Sequence, residues 1–288
     1  MRFVLFEQSE KISVAAGSGD AWFDVDSLDL PFNITPNNIA ILTGEQLATL
    51  ASAISSTGVA SLALGSLTLL PPIATDARIF CVGLNYADHA DESKMEHPAY
   101  PVVFLRTRES FVGHDQPLIL PRVSAAFDYE GEMVAVLKQG GRYIDTVAAA
   151  ECVGGYTVAN EGSIRDYQLQ RGPQWTMGKN FNASGAIGPC FVTADELPPL
   201  GKGLAIRTRV NGEIVQESNT RNMIFDIAQI ISYLSEAFVL KAGDVIVSGT
   251  PAGVGAARKP PLWVKAGDFV EVEVEAIGRV RNRVVQED

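Results

Sequence analysis

The sequence is poor in the residues that build transition-metal sites and covalent cross-links. Its 288 residues include three histidines and three cysteines, and the cysteines form no CxxC pair. Histidine-rich or thiolate-rich zinc and copper sites are therefore disfavoured, and so is a disulfide framework. We expect any metal ion to be held mainly by oxygen ligands.

Positive charge is scarce as well. The chain has 23 Lys+Arg against 34 Asp+Glu, a formal net charge of −11. Without an excess of cations to neutralise phosphates, a nucleic-acid partner is disfavoured. The most apolar stretch, Gly58 to Ile73, is interrupted by Ser61, Ser66 and Pro71-Pro72, so no membrane span is expected. The first residues lack the apolar run of a secretion signal, which favours a cytoplasmic protein.

Two regions differ in their residue pattern. Residues 1–75 combine short alternating segments with a predicted helix from Thr43 to Ser56, and the Leu70-Pro71-Pro72 break marks the boundary of a small N-terminal α+β domain. Residues 76–288 contain many short apolar or alternating apolar and polar segments, which predict strands. These are Arg78–Gly83, Pro101–Arg106, Tyr129–Leu137, Tyr156–Ala159, Leu204–Val210, Glu213–Gln216, Val245–Ser248 and Phe269–Ala276.

Few helices are predicted in the second region. Asn211-Gly212 between two strand-like runs predicts a type I′ hairpin turn. Apolar residues at helical spacing predict one amphipathic helix from Met223 to Phe238. The βα alternation of a doubly wound sheet or a TIM barrel is missing. The expected fold class is therefore mixed but mainly β.

Two glutamates stand out at the start of the Tyr129–Leu137 strand. Period-two alternation places Glu130 and Glu132 on the face that also carries Val134 and Val136. Two adjacent carboxylates require a counter-charge, and a divalent cation with oxygen ligands supplies it. The alternative is a strand that simply emerges into solvent.

Two further segments carry candidate polar groups. A short strand ends at Glu161, where a third carboxylate ligand is easily presented, and Ser163 is an expected N-cap of a helix that carries Arg165. His89 and Glu92 stand at i, i+3, a spacing that suits a general base and its orienting carboxylate. The alternatives are a surface loop acid, a routine ion pair and an exposed histidine. Asn85 is expected to cap the helix that carries His89.

A lysine and a glycine-rich loop complete the candidate set. Lys179 lies in an apolar, glycine-bounded stretch and is a candidate cation for a substrate carboxylate or a developing oxyanion. The loop at residues 249–255 follows a buried-looking strand. Its backbone N–H groups and the Thr250 hydroxyl are candidates to bind an anion. Nucleotide-binding and serine-hydrolase motifs do not occur.

Together these segments resemble the fumarylacetoacetate hydrolase family over nearly all of residues 76–288. The resemblance rests on the order and spacing of several motifs. They are NYADHADE (85–92), DYEGEMVAV (128–136), GYTVANEGSIRDYQ (155–168), QWTMGKNF (174–181), NGEIVQ (211–216) and GTPAGVG (249–255). The resemblance implies a β-roll or β-sandwich catalytic domain, commonly a homodimer, with one Mg²⁺ or Mn²⁺ in each site and Ca²⁺ as a further option.

The resemblance also implies residue roles. The metal ligands would be Glu130, Glu132 and Glu161, the last at a corner where the family usually has Asp. The catalytic groups would be His89, Glu92 and Lys179, and the substrate contacts Arg165, Thr250, Arg106 and Tyr86.

The function that follows is hydrolysis of a small anionic β-diketo acid of the acylpyruvate type, which releases a keto acid and a carboxylic acid. Water activated by His89 would attack the distal carbonyl, and the metal and Lys179 would stabilise the negative charge that develops. Decarboxylation or keto–enol isomerisation of a 2-oxo acid is the alternative on the same scaffold. A non-catalytic keto-acid binder is the third hypothesis.

Overall fold

The computed structural model describes residues 1–8, 10–18, 21–87 and 98–288. Its strands are β1 (Arg2–Gln8), β2 (Lys11–Ser18), β3 (Ala21–Asp24), β4 (Thr68–Leu70), β5 (Ile79–Gly83), β6 (Val102–Arg106), β7 (Phe111–Val112), β8 (Leu118–Leu120), β9 (Phe127–Asp128), β10 (Gly131–Leu137), β11 (Val153–Asn160), β12 (Ser163–Ile164), β13 (Gly185–Thr193), β14 (Ala205–Val210), β15 (Glu213–Asn219), β16 (Val245–Val247), β17 (Phe269–Val274) and β18 (Gly278–Gln286). The α-helices are α1 (Gly44–Ser56), α2 (Thr146–Ala150), α3 (Arg165–Leu169), α4 (Thr176–Lys179) and α5 (Ile227–Ala237). No helix in these ranges is both long and apolar enough to cross a membrane.

Two β-sheets pack face to face. The large sheet has the strand order β3-β2-β1-β13-β11-β10-β16-β5-β6, with β4 added to β1 and β7 to β13. A five-stranded sheet, β15-β14-β17-β18-β8, covers β10, β11 and β13. The core between the sheets contains Met133, Val158, Ile206 and Val272, all fully buried. This arrangement confirms the mixed, mainly β fold predicted from the sequence.

The first 75 residues extend the large sheet. Strand β1 pairs antiparallel with β13, with Arg2 opposite Val192. Helix α1 begins where the sequence predicts it, because Thr43 caps it: the Gln46 N–H donates to Thr43 Oγ1 at 3.2 Å and the Thr43 N–H to Gln46 Oε1 at 2.9 Å. Sheet pairing thus runs across the boundary near residue 75, and the division into two domains stays a prediction.

Helix α5 begins later than predicted. Its N-cap is Asp226, so Met223, Ile224 and Phe225 lie outside the helix. Asn85 binds two of them: the Ile224 N–H donates to Asn85 O at 2.7 Å and the Phe225 N–H to Asn85 Oδ1 at 2.8 Å. The Asn85 amide also donates to Ser248 O at 2.7 Å. The Asn85 side chain thus joins two distant loops, while the helix that it was expected to cap lies outside the described residues, so the capping role stays a prediction.

Two turns require glycine for different reasons. The hairpin between β14 and β15 has φ of 53° at Asn211 and 86° at Gly212, as the predicted type I′ turn demands. Gly249 follows β16 with φ of 102°, and a Cβ placed there would lie 2.6 Å from Asn85 Cβ. A Cβ on Gly212 would meet nothing within 4 Å. Steric contact therefore restricts Gly249 in addition to backbone conformation.

We expect Gly249→Ala to destabilise the fold more than Gly212→Ala. Both substitutions put a side chain at positive φ, which costs about 1 kcal/mol, but only Gly249→Ala also forces overpacking, worth roughly 1–3 kcal/mol more. Urea unfolding of the two variants measures the difference. Equal losses would contradict the close approach of Gly249 to Asn85.

Candidate active site

Antiparallel pairing of β10 and β11 brings the predicted ligands together. Gly131 at the start of β10 lies opposite Asn160 at the end of β11. The Glu161 N–H donates to Glu130 O at 2.7 Å, which fixes the corner after β11 against the residue before β10. As a result, one carboxylate oxygen from each of Glu130, Glu132 and Glu161 lies within 4.8 Å of the other two.

The three carboxylates are buried. Glu130 is 5% exposed, and Glu132 and Glu161 are each 1% exposed. A solvated strand edge is therefore excluded. Burial raises the pKa of Glu132 well above its usual value, and the nearby Glu161 and Glu130 charges raise it further. The site concentrates negative charge in a place that water reaches poorly.

Lys179, at the end of α4, joins two of the carboxylates. Its Nζ donates to Glu130 Oε2 at 2.8 Å and to Glu161 Oε2 at 2.9 Å, and it lies 5.0 Å from the centre of the Phe104 ring. Burial by itself would lower the pKa of Lys179, but Glu130 and Glu161 outweigh it and raise the pKa above its ordinary value. Lys179 is therefore a protonated ammonium group. Two of its three N–H donors are used by these carboxylates.

Arg165 pairs with two carboxylates from one side of the site. Its Nε donates to Asp128 Oδ2 at 2.7 Å, and its Nη2 lies 2.7 Å from Glu130 Oε1. Asp128 is fully buried and also accepts the N–H groups of Gly255 at 2.7 Å and Ala256 at 2.9 Å. Asp128 thus fixes the glycine-rich loop to the arginine, a role that sequence reasoning missed.

Arg106, at the end of β6, lies behind Glu161. Its Nη1 is 4.0 Å from Glu161 Oε1 and donates to Gly162 O at 3.0 Å, and its Nη2 donates to Ser184 Oγ at 2.9 Å. Burial lowers the pKa of Arg106, and Glu161 opposes that effect. These contacts place Arg106 against the corner after β11, and its role as a substrate contact stays a prediction.

The loop after β16 closes the site on the side of Glu132. The Gly249 N–H donates to Glu132 Oε2. Thr250 is 3% exposed, and its hydroxyl donates to Gly131 O at 3.0 Å. Strand β16 pairs with β10, with Val247 opposite Val134, so the loop emerges beside the carboxylates. Thr250 therefore lies beside the carboxylate cluster, and its role as a substrate contact stays a prediction.

Several polar side chains that the sequence analysis did not assign also hold the site. Asn160 Oδ1 accepts the Glu130 N–H at 3.1 Å, and Gln168 Oε1 accepts from Arg165 Nη1 at 2.8 Å. Ser163 Oγ donates to Glu130 Oε1 at 3.0 Å. The sequence analysis expected Ser163 to be the N-cap of α3. That prediction is wrong, because the N-cap is Ile164. The serine hydroxyl is directed instead to the buried carboxylate.

The proposed base is not described structurally. His89 and Glu92 lie outside the described residues, so their predicted pairing stays a prediction. Tyr86 is described: it is fully buried, and its backbone forms an isolated bridge with Met223. Tyr86 directly follows Asn85, whose side-chain amide donates to Ser248 O, just before Gly249.

The donor set fits a hard divalent cation. Four buried carboxylates, Asp128 included, face three cations, and no ion pair to Glu132 occurs among the described residues. Glu161 Oε1 is buried and lacks a hydrogen-bond partner in the described part of the chain. Carboxylate oxygens are the ligands that Mg²⁺, Mn²⁺ and Ca²⁺ prefer. Glu161 reaches the cluster in spite of its additional methylene.

These features define a class of two-sheet β proteins whose buried carboxylates can hold a divalent metal ion beside a protonated lysine. The chain belongs to the fumarylacetoacetate hydrolase family, since the family described as "Fumarylacetoacetate (FAA) hydrolase C-terminal" matches residues 78–285. The resemblance stated from the motifs is thereby confirmed.

Similar proteins include both isomerases and hydrolases. Oxaloacetate tautomerase Fahd2a, mitochondrial, from Rattus norvegicus is 35% identical over 289 residues, which cover 99% of this chain and 92% of that protein. The structure of fumarylacetoacetate hydrolase from Exiguobacterium antarcticum matches with a TM-score of 0.84, 31% identity and 100% coverage of both chains. The crystal structure of fumarylpyruvate hydrolase from Pseudomonas aeruginosa in complex with Mn²⁺ and pyruvate has a TM-score of 0.67 and 32% identity, over 76% of this chain and 92% of that one.

We expect Glu132→Gln and Glu161→Gln to weaken Mn²⁺ binding by about 100-fold or more, because each replaces a charged oxygen ligand by a neutral amide. Isothermal titration calorimetry measures the affinity. Glu109→Gln is the matched control, since Glu109 is an exposed glutamate outside the carboxylate cluster. Mn²⁺ affinities that are the same in all three variants would contradict the assignment.

Proposed function

We propose that the chain catalyses keto–enol tautomerisation of a small 2-oxo acid of the oxaloacetate type, with a divalent ion held by Glu130, Glu132 and Glu161. The observation that carries the proposal is the buried carboxylate cluster with Lys179 Nζ within 2.9 Å of two of its members. The full-length similarity to an oxaloacetate tautomerase supports it. This ranks isomerisation above the hydrolysis that the sequence analysis placed first.

The reaction moves one proton and adds no atoms. In the direction from enol to keto, the enol O–H loses its proton and C3 gains one. Bound Mg²⁺ or Mn²⁺ supplies Lewis acidity that favours the charge of the enolate on the 2-oxo oxygen. Lys179, held by hydrogen bonds to Glu130 and Glu161, adds a positive charge beside the substrate. It therefore acts as a hydrogen-bond donor, and a separate group must accept the proton.

Arg165 and Arg106 contribute by holding the carboxylates in place. Arg165 binds Glu130 from one side and Arg106 supports Glu161 from behind, so both ligands remain oriented. Fixed ligands reduce the reorganisation that charge development would otherwise require. The site suits an anionic substrate because a divalent ion and three cations together exceed the four carboxylate charges.

The direct test follows the ultraviolet absorbance of enol-oxaloacetate as it converts to the keto form. We expect the purified protein with Mn²⁺ or Mg²⁺ to accelerate this decay and EDTA to abolish the acceleration. Parallel assays of pyruvate and CO₂ report hydrolysis of acylpyruvates and decarboxylation of oxaloacetate. Acceleration that persists unchanged in EDTA would contradict a metal-dependent tautomerase. A protein that binds the keto acid without accelerating any of these reactions would be a non-catalytic binder.

We expect Lys179→Met to lower kcat/KM for tautomerisation by about 100- to 1,000-fold, because the variant loses a donor to the developing negative charge. Mn²⁺ should still bind, since Lys179 is not a ligand. Lys265→Met, at an exposed turn before β17, is the control and should leave both quantities unchanged. Loss of Mn²⁺ binding together with activity in Lys179→Met would show that the lysine acts through the metal site instead.

Hydrolysis of an acylpyruvate is the second candidate. The similarity to fumarylpyruvate hydrolase, whose structure holds Mn²⁺ and pyruvate, favours it. In this reaction a water proton passes to a base, the hydroxide adds to the distal carbonyl, and the C–C bond breaks to give a pyruvate enolate and a carboxylic acid. The enolate is the species that both candidate reactions share, and water activation separates them.

The role of His89 distinguishes water activation from metal binding. If the chain hydrolyses an acylpyruvate, we expect His89→Ala to abolish pyruvate release, because the proposed base is lost, while Mn²⁺ affinity stays within about threefold of wild type. Pyruvate release and calorimetry measure the two effects. Full hydrolytic activity in His89→Ala would rule out this histidine as the base.

A further inference from the structure

Gln216 lies in β15 of the five-stranded sheet, yet its side chain reaches the metal ligands of the large sheet. It is 2% exposed. Its Oε1 accepts the Gly131 N–H at 2.9 Å, and Gly131 is the residue between Glu130 and Glu132. Its Nε2 donates to Thr250 Oγ1 at 2.8 Å and to Pro251 O at 2.9 Å. One amide thus joins the ligand strand to the loop after β16.

The hydrogen atoms in this cluster can be assigned without ambiguity. The Gly131 N–H can only donate, so the atom that faces it must be the oxygen of Gln216. The two hydrogens of the Gln216 amide then go to Thr250 Oγ1 and Pro251 O. Because Thr250 Oγ1 accepts one of them, the single hydroxyl hydrogen of Thr250 is donated to Gly131 O, 3.0 Å away. Gly131, Gln216 and Thr250 therefore form a closed ring of three hydrogen bonds.

This ring has a consequence for Thr250. A hydroxyl has one hydrogen, and Gly131 O already receives it. The Thr250 side chain is therefore engaged inside the protein, in a place where the sequence analysis expected it to bind an anion. The adjacent Gly249 N–H is engaged with Glu132. Gly249 and Thr250 are thus both hydrogen-bonded to residues of β10.

We infer that Gln216 is a positioning residue that locks the Glu130-Gly131-Glu132 segment and the Gly249-Thr250-Pro251 loop into one unit, with the Thr250 hydroxyl as part of the lock. The inference rests on the proposed function in that it takes the glutamates as metal ligands. Partners that orient metal ligands typically change metal affinity by 10- to 100-fold when they are removed. Gln216 is such a partner, because it accepts the N–H of Gly131, the residue between the two ligands Glu130 and Glu132.

The test compares Mn²⁺ affinity in two buried amide variants. Gln216→Met keeps the approximate volume and removes all three hydrogen bonds. Asn282→Leu is the matched control, since Asn282 is 1% exposed and its amide also donates to two loop carbonyls, Gly113 O and Gln116 O, each at 2.8 Å. We expect Gln216→Met to weaken Mn²⁺ binding about tenfold or more and Asn282→Leu to leave it unchanged, while both lose thermal stability.

A double-mutant cycle tests the ring itself. Thr250→Val breaks the same ring, so we expect Gln216→Met and Thr250→Val together to weaken Mn²⁺ binding no more than either alone. Thr250→Ser keeps the hydroxyl and should bind Mn²⁺ as the wild type does. If Gln216→Met does not fold, Gln216→Glu replaces it, because a carboxylate keeps the acceptor for Gly131 and loses both donors.

The outcomes separate this inference from the proposed function. Wild-type Mn²⁺ affinity in the Gln216 variants would overturn the positioning role, whatever the activity. Additive effects in the cycle would overturn the ring. A wild-type protein that binds no Mn²⁺ would overturn the metal site and the positioning role together. Tenfold weaker binding in the Gln216 variants with normal binding in Asn282→Leu supports the role even if oxaloacetate is not the substrate.

Discussion

Compensation of buried negative charge is the constraint on which the rest of the structure depends. Where β10 begins and β11 ends, four carboxylates lie in the interior, and an isolated buried carboxylate is very costly unless it is paired. The cations that pair with them come from three separate elements: Arg106 from β6, Arg165 from α3 and Lys179 from α4. Short helices α3 and α4 therefore need to dock at this junction, and the proposed divalent ion would supply the remaining positive charge.

The same charge balance explains how one scaffold supports different reactions. Enolate charge on a 2-oxo acid is common to tautomerisation and to the cleavage of acylpyruvates, and in both proposed reactions a divalent ion and Lys179 would stabilise it. What differs is whether a water molecule is activated. The described site contains the groups that bind and stabilise, and the candidate base belongs to a separate segment.

Local signals predicted the elements whose stability is local. The capping box of Thr43 and Gln46 fixes the start of α1, and Asn211-Gly212 allows the two positive φ values of a type I′ turn. Helix α5 shows the limit of such signals. Apolar spacing continues through Ile224, but the helix begins only at Ile227, because Asn85, distant in sequence, accepts the backbone N–H groups of Ile224 and Phe225. A long-range partner therefore overrides a helical pattern. In the same way, the Ser163 hydroxyl donates to Glu130 and does not cap α3.

The sequence alone determined the mainly β fold, and its motifs named Glu130, Glu132 and Glu161 as candidate ligands through the family resemblance. The pairing of β10 with β11 then brings the three carboxylates together. The tertiary structure alone decided which groups hold them. Asp128 is a buried anchor for a loop, Arg106 supports a ligand from behind, and Gln216 reaches the site from the other sheet. Their roles depend on sheet packing and on contacts between residues far apart in the chain, and periodicity carries no information about either.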